Sequence, residues 1–201
     1  MNSNRLTDRK RAAIVQAAIT EFRASGFDAT SVDKIAARAE VSKRTLYNHF
    51  PSKDELFAEI LRILLHSSIA QTELAYRSDE PMDEQLLEIL LKKMTMLADD
   101  NFLDLIRVAI AAFIHSPERA QDMVNRLGEK ESSLLSWIKA AQKDGRLKSG
   151  DAILAAQQLE SLVKGAAFWP QVAMGQPKLS TREQRKIAKA TVDLFLSHYA
   201  I

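Results

Sequence analysis

Between Thr30 and Ser52 the chain reads "TSVDKIAARAEVSKRTLYNHFPS", a stretch with room for two helices of about two turns each and nothing longer. Thr30 followed by Asp33 predicts a capping box that opens the first, with Val32, Ile35, Ala36 and Ala39 facing inward. Ser42 predicts the N-cap of the second, which must stop at Pro51 because proline lacks the donor and disfavours helix in the residue before it. Helices this short do not stand alone in water, so packing through Leu46 and Phe50 has to hold the second one. At 100° per residue Arg44 and Asn48 then lie opposite that buried edge, flanked by Thr45, Tyr47 and His49.

The flanking sequence fits a support for this pair. Ile14, Val15, Ala18, Ile19 and Phe22 form one apolar stripe upstream, with Thr7 as its expected N-cap and Gly26 as its stop. Downstream, Ser52 with Glu55 predicts a second capping box and a long helix carrying Leu56, Phe57, Ile60, Leu61, Leu64 and Leu65. Long helix, short helix, tight turn, short exposed helix, long helix is the pattern of a helix-turn-helix, whose second helix enters the major groove of DNA. Charge agrees. Residues 1–53 hold ten Lys and Arg against five Asp and Glu, a net +5, which leaves −3 for the rest of a chain whose total is +2.

The run "AAITEFRASGFDATSVDKIAARAEVSKRTLYNHFPSKDELF" resembles the N-terminal DNA-binding domain of the TetR family of bacterial repressors, and the likeness covers residues 5–65. It implies that Lys43, Arg44, Thr45 and Asn48 read bases, that Ser31, Tyr47, His49 and Lys53 grip phosphate, and that Ser42 stands among the DNA-binding residues. Glu40 departs from the pattern, standing at a turn position where many members have glycine. If that turn needs φ > 0, glutamate there costs on the order of 1 kcal/mol. The cations Arg5, Arg9, Lys10 and Arg11 either reach a neighbouring minor groove as an N-terminal arm or lie in solvent or loose phosphate contact, and the second is the expectation.

After "YRSDEPMDEQ" the periodicity is again helical: Met82–Leu97, Leu103–Ile114, Glu118–Leu127, Glu129–Asp144, Asp151–Val172 and Arg182–His198, with breaks at Pro117, Gly128 and the Gly145–Gly150 stretch. No segment alternates with period two. The fold class is therefore all-α, about nine to ten helices, divided as a DNA-binding domain at 1–52, a connecting helix at 53–77 and a second domain at 78–201. With "HSPER" and "LLSWIKAAQKDGRL", that second domain resembles the AcrR/AefR-like subgroup, which implies effector binding and dimerisation. The expected pocket residues are Met94, Leu97, Phe102, Ile106, Phe113, Met123, Leu134, Trp137 and Phe168, suited to a small apolar or aromatic effector. His115 reads as a helix-end histidine before Pro117. The expected dimer face comprises Ala155, Leu159, Leu162, Val163 and Ala166 with Val192, Phe195, Leu196 and Tyr199.

Zero cysteines remove thiolate chemistry, and the four histidines have no ligand spacing. No nucleotide-binding, metalloprotease or nucleophile-elbow motif is present, so neither catalysis nor a metal or cofactor is expected. The absence of a long apolar run leads to the expectation of a soluble cytoplasmic, nucleoid-associated protein without a membrane partner. The reading is a ligand-responsive homodimeric repressor on a palindromic operator in double-stranded DNA. The competing class is an all-helical protein-binding adaptor, which leaves the polar face of Arg44 and Asn48 unexplained.

Overall fold

The structure is a computed structural model that describes residues 2–72, 74–114, 116–127 and 132–201. His115 and the break at Gly128 lie outside the described residues, as do the side chains of Arg5 and Leu65. Among the described residues there are eleven helices and no strand, apart from one isolated bridge between Leu147 and Ala200. The helices are α1 (Asn2–Ser25), α2 (Val32–Arg38), α3 (Lys43–His49), α4 (Lys53–Thr72), α5 (Met82–Leu97), α6 (Asp100–Phe113), α7 (Pro117–Leu127), α8 (Ser133–Lys143), α9 (Ala152–Ala167), α10 (Trp169–Ala173) and α11 (Thr181–Tyr199).

Several boundaries shift from expectation for identifiable reasons. Thr7 is not the start of the first helix, because α1 already begins at Asn2 and runs unbroken through it. The N-cap of α2 is Ser31, whose oxygen accepts from the Lys34 backbone, while Thr30 is buried and donates to the carbonyls of Glu21 and Gly26. The expected 151–172 helix divides at Phe168, and Pro170 falls in the first turn of α10, where a missing N–H costs nothing.

The chain separates into two compact units that do not follow its linear division: residues 1–65 with 104–129, and residues 66–103 with 130–201. In the first unit, Ile14, Ala18 and Phe22 of α1, Ile35 of α2, Leu46 of α3 and Leu56, Phe57 and Ile60 of α4 are all essentially inaccessible to solvent. The rings of Phe22, Phe27 and Phe57 lie 4.9 to 5.4 Å apart, and Phe113 of α6 stands 6.0 Å from Phe57. Arg23 pairs with Asp104, and Arg119 of α7 pairs with Asp28, so α6 and α7 are fastened to the head by charge as well as by packing. These two helices were expected in the second domain; local periodicity carries no information about such long-range partners.

The second unit packs α5, α8, α9 and α11 around Leu86, Ile89, Leu90, Trp137, Ile138, Leu159, Val163 and Phe195. Its one fully buried polar side chain near Trp137, Gln85, is satisfied at both ends: Oε1 accepts from Trp137 Nε1 and the Arg77 amide, and Nε2 donates to the Arg77 and Glu80 carbonyls.

Candidate nucleic-acid interface

The presentation of α3 begins with two anchors. Leu46 is inaccessible and Phe50 nearly so, with the Arg11 guanidinium 4.7 Å above the Phe50 ring. Arg11 also pairs with Glu59 at 2.7 Å; burial pushes the Glu59 carboxyl up, and the hydrogen bonds it accepts from Arg11 and Arg62 together with their charges bring it below the usual carboxylate range. The expected N-terminal arm is thus a helix, and Arg11 is committed to holding α3 and α4 in place. Arg9 and Lys10 remain exposed on α1.

The start of α3 is fixed by Ser42, whose Oγ accepts from the Thr45 amide at 3.1 Å and shares a 2.8 Å hydrogen bond with Thr45 Oγ1. The turn before it is a Schellman motif. The Val41 N–H reaches the Ala36 carbonyl and the Glu40 N–H reaches the Ala37 carbonyl, which requires Glu40 at φ +53. Glu40 is the one non-glycine residue with positive φ among those described. The same hydrogen-bond pattern recurs at the end of α8, with Arg146 to Ala141 and Gly145 to Gln142, and there the left-handed position holds glycine at φ +74. The helix-turn-helix therefore keeps its geometry against a local strain that glycine would remove.

With core, cap and turn fixed, Lys43, Arg44, Tyr47 and Asn48 are exposed on one side of α3, and Thr45 and His49 stand half-buried at its edges. Tyr47 leaves 41% of its surface open despite being a large aromatic residue. Ser31, at the head of α2, is exposed as well. Eight of the nine residues expected at a DNA surface are thus brought together along α3 and at the head of α2. Lys53 differs. Its ammonium donates to the carbonyls of Phe27, Asp28 and Thr30 at 2.7, 3.3 and 3.1 Å and lies 4.5 Å over the Phe27 ring, and burial lowers its pKa. All three of its donors are engaged in tying the α1–α2 loop to the start of α4, so its contribution is to hold Ser31 and α2.

The expected pocket residues are placed in two groups. Met94, Leu97, Phe102, Leu134, Trp137 and Phe168 are buried in the second unit, whereas Ile106, Phe113 and Met123 belong to the first, where Met123 lies inside the head's core cluster. The face expected for dimerisation is also resolved into two sides. Ala155, Leu159, Val163, Val192 and Phe195 are covered by their own chain, because helices apolar on two sides turn one of them inward. The outward side is an apolar groove of about 720 Å³ along α9 and α11, lined by Leu154, Gln157, Leu162, Leu194, His198 and Tyr199 among others. Leu154, Leu162 and Leu194 are 48%, 41% and 58% exposed there. Ala166, Leu196 and Tyr199 stand partly exposed. Leu194 belongs to the apolar face that the sequence shows at the end of the chain, whereas Leu154 escaped the sequence reading although its angular position on α9, opposite the core stripe, would have revealed it.

No group of His, Cys, Asp and Glu among the described residues has the arrangement of a metal site, and no described helix is long and apolar enough to cross a membrane. The comparisons with known proteins point the same way at both ends of the chain. The family described as "Bacterial regulatory proteins, tetR family" matches residues 14–60, and that described as "AefR-like transcriptional repressor, C-terminal domain" matches residues 84–201. The HTH-type transcriptional regulator YhgD of Bacillus subtilis (strain 168) is 34% identical over 144 residues, 71% of either chain. The crystal structure of a TetR family transcriptional regulator from Pseudomonas syringae pv. tomato str. DC3000 is similar at 52% identity and a TM-score of 0.84, covering 96% of this chain and 98% of that one. The flavonoid-responsive regulator FrrA is similar at 25% identity and a TM-score of 0.78, with coverage of 96% and 98%.

Proposed function

The chain belongs to the TetR family of bacterial transcriptional regulators, DNA-binding proteins without enzymatic activity, and on that premise we propose that it represses transcription as a homodimer on a palindromic operator. The observation that carries the reading is the pairing of a buried edge with a donor-rich edge on a seven-residue helix: Leu46 and Phe50 fixed in the core, Arg44, Tyr47 and Asn48 open to solvent. Arg44 presents a fork suited to the O6 and N7 acceptors of guanine, and Asn48 a donor–acceptor pair suited to adenine. Ser31, Tyr47 and His49 supply donors for phosphate, which fix register without reading sequence. A protein-binding adaptor has no use for this assortment.

A second copy completes the device. The groove along α9 and α11 is apolar, open and continuous with the subunit's own core, and a two-fold partner placing its Leu154, Leu162 and Leu194 against the same residues closes it. The dimer then sets two α3 helices about 34 to 36 Å apart, one per half-site. Release follows from an apolar or aromatic effector lodged among Met94, Leu97, Phe102, Leu134, Trp137 and Phe168; the response of FrrA to flavonoids supports that chemical class. The effector favours an arrangement of the dimer in which the two heads no longer match the half-site spacing, and α4, whose residues run through both units, is the lever.

Retardation of duplex DNA, measured with stoichiometry across a salt series, tests this function. Two chains per duplex with a steep fall in affinity as salt rises supports it. Salt-insensitive binding, or saturation at one chain per duplex, overturns it.

A further inference from the structure

Lys43, the first residue of α3, is not a free cation. Its ammonium lies 3.0 and 3.1 Å from the two carboxylate oxygens of Asp33, which stands exposed in the first turn of α2. The hydrogen bond that the ammonium donates to Asp33 is the main reason the Lys43 pKa is raised. Its neighbour Arg44 makes no ion pair among the described residues. The two cations that begin the recognition helix therefore approach a duplex in different states, one open and one already neutralised. Glu40, exposed in the strained turn three residues before Lys43, adds a second carboxylate on the same side of the sequence.

An exposed pair of this kind contributes little to folding, since water screens both partners. Its effect is on exchange. A protein gains affinity for DNA of any sequence by replacing counterions on phosphate with its own cations. Lys43 can do so only by leaving Asp33, which strands a carboxylate beside a polyanion, and the intact pair carries no net charge and releases no counterion. On DNA offering phosphate contacts alone, the exchange gains nothing. On an operator, base edges compensate both partners: guanine O6 and N7 accept from the ammonium, and the amino group of cytosine donates to a carboxylate.

We propose that Asp33 is a specificity-determining residue of the recognition surface, holding Lys43 neutralised against DNA of arbitrary sequence and releasing it where base contacts replace the pair. This rests on the DNA-binding reading above. It assigns to Asp33 a role opposite to that of the donors on α3: it lowers affinity, and lowers it most for the wrong sequence.

The test uses the full-length dimer with Asp33→Asn, which removes the charge at constant shape, and two probes: a random-sequence duplex of about 30 base pairs and a duplex carrying the site selected by the unsubstituted protein. Affinities are measured between about 50 and 200 mM salt, the range over which phosphate contacts dominate the change. The Asn variant is expected to bind the random duplex on the order of tenfold more tightly at the low end, with a salt slope steeper by about one unit per subunit. Its affinity for the selected site is expected to change less than about threefold, so the ratio between the two falls, and Asp33→Glu restores it. Lys43→Gln added to the Asp33→Asn variant removes the freed cation without stranding a carboxylate, and is expected to return the slope on the random duplex to that of the unsubstituted protein. Equal gains on both probes, an unaltered slope in the Asn variant, or a slope in the double variant as steep as in Asp33→Asn alone would overturn the assignment. Failure of the unsubstituted protein to retain either probe would overturn the DNA-binding reading itself.

Discussion

The outer side of α3 and the groove between α9 and α11 both display side chains that their own unit leaves uncovered, and they do so with opposite chemistry. On α3 the displayed groups are a guanidinium, an amide and a phenol on a support anchored by Leu46 and Phe50. In the groove they are Leu154, Leu162 and Leu194 above a floor of Phe195 and Tyr199, whose rings lie 4.6 Å apart. Directional donors name the chemistry of their partner, because each demands an acceptor at a set distance and angle. An apolar face names only the area that must be covered, and symmetry supplies the rest: a second copy presents the same area in complementary form.

The difference predicts unequal responses to substitution. The largest is expected at the groove. Leu162→Asp together with Leu194→Asp places carboxylates in a contact that excludes water and repeats them in the second copy, at a cost on the order of 4 kcal/mol or a thousandfold in association. Sedimentation should show monomers with unchanged helical circular dichroism and operator binding lost; unchanged mass would remove this face from the interface. At α3 the losses are smaller and selective. Arg44→Ala and Asn48→Ala should each cost roughly 1 to 3 kcal/mol at one base pair per half-site and leave the melting temperature in place, which competition against single-base operator variants measures.

Lys53 lies behind the α3 surface alone, as a support for the α1–α2 loop. Lys53→Met removes three donors from carbonyls that then lack them, so a loss of about 1 to 2 kcal/mol is expected in urea unfolding of the head, with weaker binding to every sequence and little change in salt slope. A flatter slope at unaltered stability would return the residue to the phosphate contacts. The smallest effect compares two turns. Glu40 and Gly145 occupy the same position of the same hydrogen-bonded stop, at φ +53 and +74. Glu40→Gly should raise stability by about 1 kcal/mol in thermal unfolding, and Gly145→Ala should lower it by a similar amount. A fall in stability with Glu40→Gly would show that the glutamate side chain holds the turn by some other means.

The head was legible because its signals are local. Caps at Ser42 and Ser52, the stop at Pro51 and the stripe through Leu46 and Phe50 act within a few residues of where they stand, and the structure puts Leu46 and Phe50 where that stripe requires. The span Met82–Leu97 agrees to the residue for the same reason. Where two local signals competed, packing decided: Thr30 and Ser31 both have capping side chains, and Thr30 was drawn inward to the Glu21 and Gly26 carbonyls. What depended on distant partners was not legible. Nothing near Asp104 or Arg119 announces that they pair with Arg23 and Asp28, and nothing near Lys53 announces three carbonyls 23 to 26 residues away. The apolar pattern of α9 and α11 revealed two covered sides without saying which was inner, so Leu159, Val163 and Phe195 were assigned outward and lie in the core.

The most direct measurement is selection of binding sites from random duplex DNA by the full-length protein, repeated with Asn48→Ala. The account predicts a two-fold symmetric site whose half-site centres lie about one helical turn apart, and loss of preference at the same single position in each half when Asn48 is replaced. A selected site without symmetry, or one whose base preferences are identical in the two selections, would contradict it.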